Sequence, residues 1–183
     1  MDLAQLFKQT ALVLFLAVAA FTVTRGKYFL ALIPTVAAVA YFGMLTDDAN
    51  RETYRYADWA VTTPLMLIAI LSANRLPWGL IAAAVGVDLL MIFYGYKATQ
   101  ERDVEKKQVN FWISVAAFVP ILYLLSKCKY TKNAKYLTLL VWFLYPIVWY
   151  FTERRALTDS VSVCVYAVMD VCAKVGLVYF LQA

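Results

Sequence analysis

Residues 159–182 read DSVSVCVYAVMDVCAKVGLVYFLQ, an apolar run interrupted at its middle by Asp170 and one turn later by Lys174. A helix that crosses a bilayer needs about 20 predominantly apolar residues. Inside one, a charged side chain costs at least ~2.5–3.5 kcal/mol near the bilayer centre, even on the lenient insertion scale. Such residues turn toward a protein interior, pair with one another and usually mark function. Asp170 and Lys174 stand at i and i+4 and share one face of the helix. The segment therefore predicts a buried ion pair and, around it, a bundle of further membrane helices.

The rest of the chain supplies them. It is 63% hydrophobic and only 16% charged, whereas soluble domains carry about 25% charged residues. Segments 4–24, 28–46, 51–73, 77–97, 109–126, 135–152 and 159–182, with short polar links, use up all 183 residues. This predicts an all-α, multi-pass integral membrane protein, a seven-transmembrane helix bundle forming one domain over 1–183. Pro34, Pro64, Pro120 and Pro146 lie inside apolar runs, where neighbouring groups in a membrane bundle re-satisfy the freed backbone. No secretory leader is expected, since no small-residue cleavage site follows the apolar residues 11–23. Cys128, Cys164 and Cys172, with no CxxC and no His in the chain, argue against a zinc site or a disulfide framework. They read as small packing residues.

Loop charge predicts orientation. Alternate links hold Arg25, Lys27, Arg75, Lys127, Lys129, Lys132 and Lys135 and no acid. In the opposite links the basic residues are offset by Asp47, Asp48, Glu52, Glu101, Asp103, Glu105, Glu153 and Asp159. The positive-inside rule puts the first set in the cytoplasm, with the N-terminus extracellular and the C-terminus cytoplasmic. The formal net charge of +5 arises largely from this asymmetry, so nucleic acid is not an expected partner.

With the loops and the N-terminal Asp2 and Lys8 set aside, Arg55, Asp58, Asp88, Asp170 and Lys174 remain. Arg55 and Asp58 stand at i, i+3 on the third segment, and Thr62 continues their face. A mid-membrane cation with two carboxylates on its outer side and Arg55 beyond them makes a cluster of zero formal charge, as a low-dielectric site requires. A lysine so placed is a deprotonated amine, one half of an ion pair, or a Schiff base with a carbonyl cofactor. Trp142, Tyr145 and Trp149 follow i, i+3, i+7 on the sixth segment, and Trp59 adjoins Asp58. Aromatic stripes are more often plain core, but around one buried lysine they suit a long, flat, conjugated ligand.

The third segment reads RYADWAVTTPLMLIAI, the sixth WFLYPIVW and the seventh MDVCAKVGL; Pro34 and Tyr41 in the second and VGVDLLM with Gly95 in the fourth add to them. On these motifs, across all seven segments, the chain resembles the microbial (type 1) rhodopsins, of which bacteriorhodopsin is the best-known relative. The very short link between the second and third segments, lacking the family's usual hairpin, is similar to compact viral members. The resemblance implies all-trans retinal bound to Lys174 as a protonated Schiff base. It also implies Asp58 as primary counterion and proton acceptor, Asp170 as second counterion and Arg55 as modulator on the outward side, in one set with Thr62. Trp59, Trp142, Tyr145 and Trp149 would wall the polyene, completed by Thr63, Met66, Met91, Gly95 and Pro146, with Ser114 from the fifth segment. Whether Phe111 or Trp112 faces the ring is open. Tyr41 and Tyr145 would bond the counterions, and Asp88 would pair with a neighbour near the fourth helix.

Two departures bear on function. Asp58, Thr62 and Ala69 lie at i, i+4 and i+11 on one stripe, and outward pumps of the family usually carry a carboxylate where Ala69 stands. One position of the family's release-glutamate pair is Ser162. The expectation is light-driven outward proton transport, not enzymatic catalysis, with no dedicated cytoplasmic donor. The alternative is a light-gated ion channel or a light sensor with a slow photocycle. Expected partners are the lipid bilayer, protons or small ions, and further copies of the chain, since oligomers are common in the family.

Overall fold

The computed structural model describes residues 2–129 and 132–182, with no side chains described at 132–134 or 182; Lys132, one of the loop cations, therefore lies outside the described side chains. Seven helices follow in order: α1 (Leu3–Thr24), α2 (Tyr28–Thr46), α3 (Arg51–Ala73), α4 (Trp78–Gln100), α5 (Val104–Lys127), α6 (Lys132–Glu153) and α7 (Asp159–Gln182). A single 3₁₀ turn, Asp48–Asn50, joins α2 to α3. Six of the helices are long and apolar enough to cross a membrane. The seventh, α6, has 22 residues, about 33 Å of helix.

The predicted segments match these helices except at their polar ends. The fifth begins at Val104 rather than 109 because the Asp103 carboxylate accepts the Lys106 N–H at 2.9 Å, a side-chain cap that sustains a charged first turn. Three helices stop by the same backbone device, a residue in the left-handed region just past the end. Gly26 (φ 68°) follows α1, Arg75 (φ 57°) follows α3 and Arg155 (φ 56°) follows α6. The N–H groups of Lys27, Leu76 and Ala156 then reach back to the carbonyls of Thr22, Leu71 and Phe151 at 3.1, 3.1 and 2.9 Å.

Each helix packs on its neighbours in sequence, α1 closes on α7, and α2 and α3 also touch α7. Close approach comes from small residues, as membrane bundles require. A Cβ at Gly43 would lie 2.6 Å from the Tyr54 ring, and one at Gly176 2.6 Å from Leu137 Cδ2. The main core gathers Trp59, Met66, Leu67, Trp142 and Leu177, and a smaller one joins Phe15, Ala37, Tyr41 and Ala167. Phe21, Phe42, Trp112 and Tyr179 are exposed, as residues facing lipid would be.

The end of the bundle that carries the acidic links is tied by ion pairs. Here the sequence expectation is corrected: Lys8, set aside as an N-terminal charge, is buried within α1. Its ammonium donates to Met44 O at 3.1 Å and Asp48 Oδ1 at 2.7 Å, capping the end of α2. Asp48 also meets Arg51 at 3.4 Å, and Arg51 pairs with Asp159 at the start of α7. One strap thus joins α1, the 3₁₀ turn, α3 and α7.

Candidate functional site

The i, i+4 spacing on α7 brings Asp170 under Lys174, and α3 presents Asp58 from across the core. Lys174 Nζ donates to Asp58 Oδ2 at 2.6 Å and to Asp170 Oδ1 at 2.9 Å, with all three side chains almost fully buried. The two carboxylates are held very differently. Asp170 also accepts Tyr41 OH at 2.8 Å, Tyr145 OH at 2.8 Å and Trp59 Nε1 at 3.1 Å. Four donors on four helices therefore converge on it, which satisfies a buried anion. Asp58 receives the lysine alone, and its Oδ1 has no hydrogen-bond partner among the described residues.

Arg55 does not complete a closed group of four. Its Nη1 donates to both oxygens of Glu52, at 2.6 and 2.7 Å, and its guanidinium lies 4.1 Å over the Tyr166 ring. The reason is local. Glu52 stands at i, i+3 on the same face of α3, nearer than any partner on another helix. Thr62 donates its hydroxyl to the Asp58 backbone carbonyl at 2.8 Å, one turn back along α3. On α4, buried Asp88 accepts Thr63 Oγ1 at 2.6 Å.

Beside Lys174 opens a cavity of about 100 Å³, partly open to the outside. Its lining includes the expected Trp59, Thr63, Met66, Met91, Gly95, Ser114, Trp142, Tyr145, Pro146, Trp149 and Lys174. Tyr41 is absent from that lining: its hydroxyl is committed to Asp170, which puts it behind the ion cluster rather than on the wall. On α5 the open choice resolves to Phe111, buried and stacked on Trp149 with centroids 4.6 Å apart and planes 8° from parallel. Trp112 points away and is 60% exposed.

Tyr56, Ile92, Val115, Phe118 and Ala173 also line the cavity and were not foreseen. Two of them had a signal. Tyr56, Trp59, Thr63 and Met66 lie at i, i+3, i+7 and i+10, one stripe of α3, and Phe111, Ser114 and Phe118 continue the same logic on α5. Gly95 keeps the α4 wall flat, because a Cβ there would lie 3.2 Å from Tyr56 Cε1 and 3.4 Å from Ser114 Oγ. Chemically, the arrangement is one amine between two unequal carboxylates, facing an aromatic slot.

Comparison with known proteins agrees with this architecture. The family described as bacteriorhodopsin-like protein matches residues 3–183. Bacteriorhodopsin-I of Haloquadratum walsbyi is 32% identical, over 82% of this chain and 70% of that protein. Among solved structures, the thermophilic rhodopsin of Rubrobacter xylanophilus is 30% identical with a TM-score of 0.84, covering 98% of this chain and 94% of that one. The light-driven proton pump LR (Mac) of Leptosphaeria maculans shares the fold at a TM-score of 0.91 and 21% identity, over 100% of this chain and 94% of that one. At the level of the family these are retinal-binding, light-driven proton pumps of the membrane, transporters rather than classical enzymes. With seven helices in the rhodopsin arrangement and a family match over nearly its whole length, the chain belongs to the bacteriorhodopsin-like family.

Proposed function

We propose that the chain is a light-driven outward proton transporter in which Lys174 holds all-trans retinal and Asp58 accepts the proton. The observation that carries this reading is the unequal pair of carboxylates on Lys174 Nζ: one saturated with donors, the other with an open oxygen. The residues present fit the cofactor. The slot is walled by Trp59, Trp142, Tyr145, Trp149 and Phe111, kept open at Gly95, and holds one amine that can form a linkage with an aldehyde. When bound at Lys174 Nζ, retinal would supply the light-driven isomerisation. The side chains do the rest. Asp58 and Asp170 stabilise a cation at Nζ, and a proton released from Nζ has Asp58, 2.6 Å away, to receive it. Asp170 has no oxygen to spare. Arg55 and Glu52 lie beyond, toward the acidic end, which the positive-inside rule makes the outer one.

The return path is the weak half. Among the described residues the fully buried carboxylates are Asp58, Asp88 and Asp170, and Ala69, about three turns along the same stripe from Asp58, has no proton to give. Azide, a small weak acid able to carry a proton into the basic half of the bundle, is expected to speed reprotonation at Nζ. Flash absorption would show it as faster decay of the blue-shifted transient, and an unchanged decay would reveal an internal donor. A slow return also suits the second reading, a light-gated channel or sensor. Voltage clamp under illumination separates them. A pump current is expected to keep its outward sign across the voltage range, whereas one that reverses at an ion's equilibrium potential would establish a channel.

A further inference from the structure

Behind the cavity wall, the hydroxyl of Thr99 on α4 joins three helices. Trp149 Nε1 on α6 donates to Thr99 Oγ1 at 2.9 Å, and the Tyr56 hydroxyl on α3 lies 3.2 Å from the same oxygen. The Gly95 carbonyl, one turn earlier on α4, lies 3.2 Å away and accepts from Thr99. Trp149, Tyr56 and Gly95 line the cavity, but Thr99 does not. A hydroxyl has one proton to give and two lone pairs to receive. Thr99 shares its one proton between the Tyr56 oxygen and the Gly95 carbonyl, and its own oxygen receives the indole N–H.

That matters because the indole N–H is the sole donor of Trp149, and an unpaired N–H inside a membrane bundle is costly. The Trp149 ring is fixed on its other side by the face of Phe111. Tyr56 lies so close to Gly95 that a methyl group there would press on its ring. The seat of two wall aromatics therefore depends on one hydroxyl outside the wall. We infer that Thr99 is a positioning residue for the chromophore cavity. It holds Trp149 and Tyr56 in place, and through them sets the colour of the pigment and the closure of the wall around it. The inference rests on the retinal reading above.

The test uses the full chain in membranes supplied with all-trans retinal, reading the absorption maximum and the rate of bleaching by hydroxylamine in the dark. Thr99→Val, equal in shape but without the hydroxyl, is expected to shift the maximum and to bleach about fivefold faster, the factor one ordinary hydrogen bond represents. Thr99→Ser is expected to restore both readings. Trp149→Phe, which removes the donor, should move bleaching in the same direction, and adding Thr99→Val to it should change little more. A Thr99→Val pigment identical to the parent, or effects that simply add with Trp149→Phe, overturns the inference. If Thr99→Val yields no pigment, the serine variant decides, and one unlike the parent also overturns it. A parent chain that stays colourless overturns the retinal reading instead.

Discussion

Replacing Lys174 with alanine is expected to leave retinal-supplied membranes without visible absorbance. The chain has other lysines, but among the described residues only Lys174 lines the aromatic cavity; Lys8, the other buried one, is bound to Met44 and Asp48. Its removal takes away the one amine that, among the described residues, lines the cavity. The same change leaves Asp58 and Asp170 buried together without their cation, and breaking a buried pair in this way costs about 3–5 kcal/mol. A colourless alanine variant could therefore reflect lost folding. Lys174→Arg separates the causes, because a guanidinium keeps the positive charge but does not form the linkage. The arginine variant should reach the membrane and remain colourless. Visible colour in either variant would refute the assignment of the chromophore to Lys174.

Asp58→Asn should have the second largest effect: net proton movement stops, and the absorption moves to longer wavelength. An amide cannot take the proton from Nζ, so transport loses its first acceptor. It also removes a full negative charge 2.6 Å from the cation, and less localised positive charge at the nitrogen means a smaller excitation energy. Folding should survive, because Asp58 receives only one side-chain donor and Asn is nearly the same shape. Light-induced pH changes in a cell suspension, with a protonophore control, measure the transport. Pumping that persists in Asp58→Asn would show that another group accepts the proton.

Much of this was legible in the chain, for a physical reason. A charge inside an apolar run is conspicuous, so Asp58, Asp170 and Lys174 stood out, and helical spacing put the last two on one face. The aromatic stripe of α6 was visible in the same way. What could not be read were partnerships decided by three-dimensional approach. Lys8 looked like a terminal charge because the residues that bury it, Met44 and Asp48, lie at the far end of α2. Arg55 looked free to join the cluster because Glu52 had been counted with the loops. Thr99 carried no signal at all, since a threonine near a helix end is ordinary until Trp149 and Tyr56 are found beside it. Phe111 and Trp112 differ by one residue, and sequence alone did not fix the rotation of α5 that chooses between them.

The unequal treatment of the two carboxylates has an electrical consequence. Lys174, Asp58 and Asp170 together carry one more negative charge than positive, and that excess rests on Asp170, where two tyrosines and a tryptophan share it. If, as proposed, a proton crosses from Nζ to Asp58, the cation and its nearer anion vanish together and the excess is unaltered. The interior therefore never has to carry a larger net charge during the step. On the proposed reading, light would need only to shift a dipole across a few ångströms, and Asp170 would be the fixed electrode against which that shift is made.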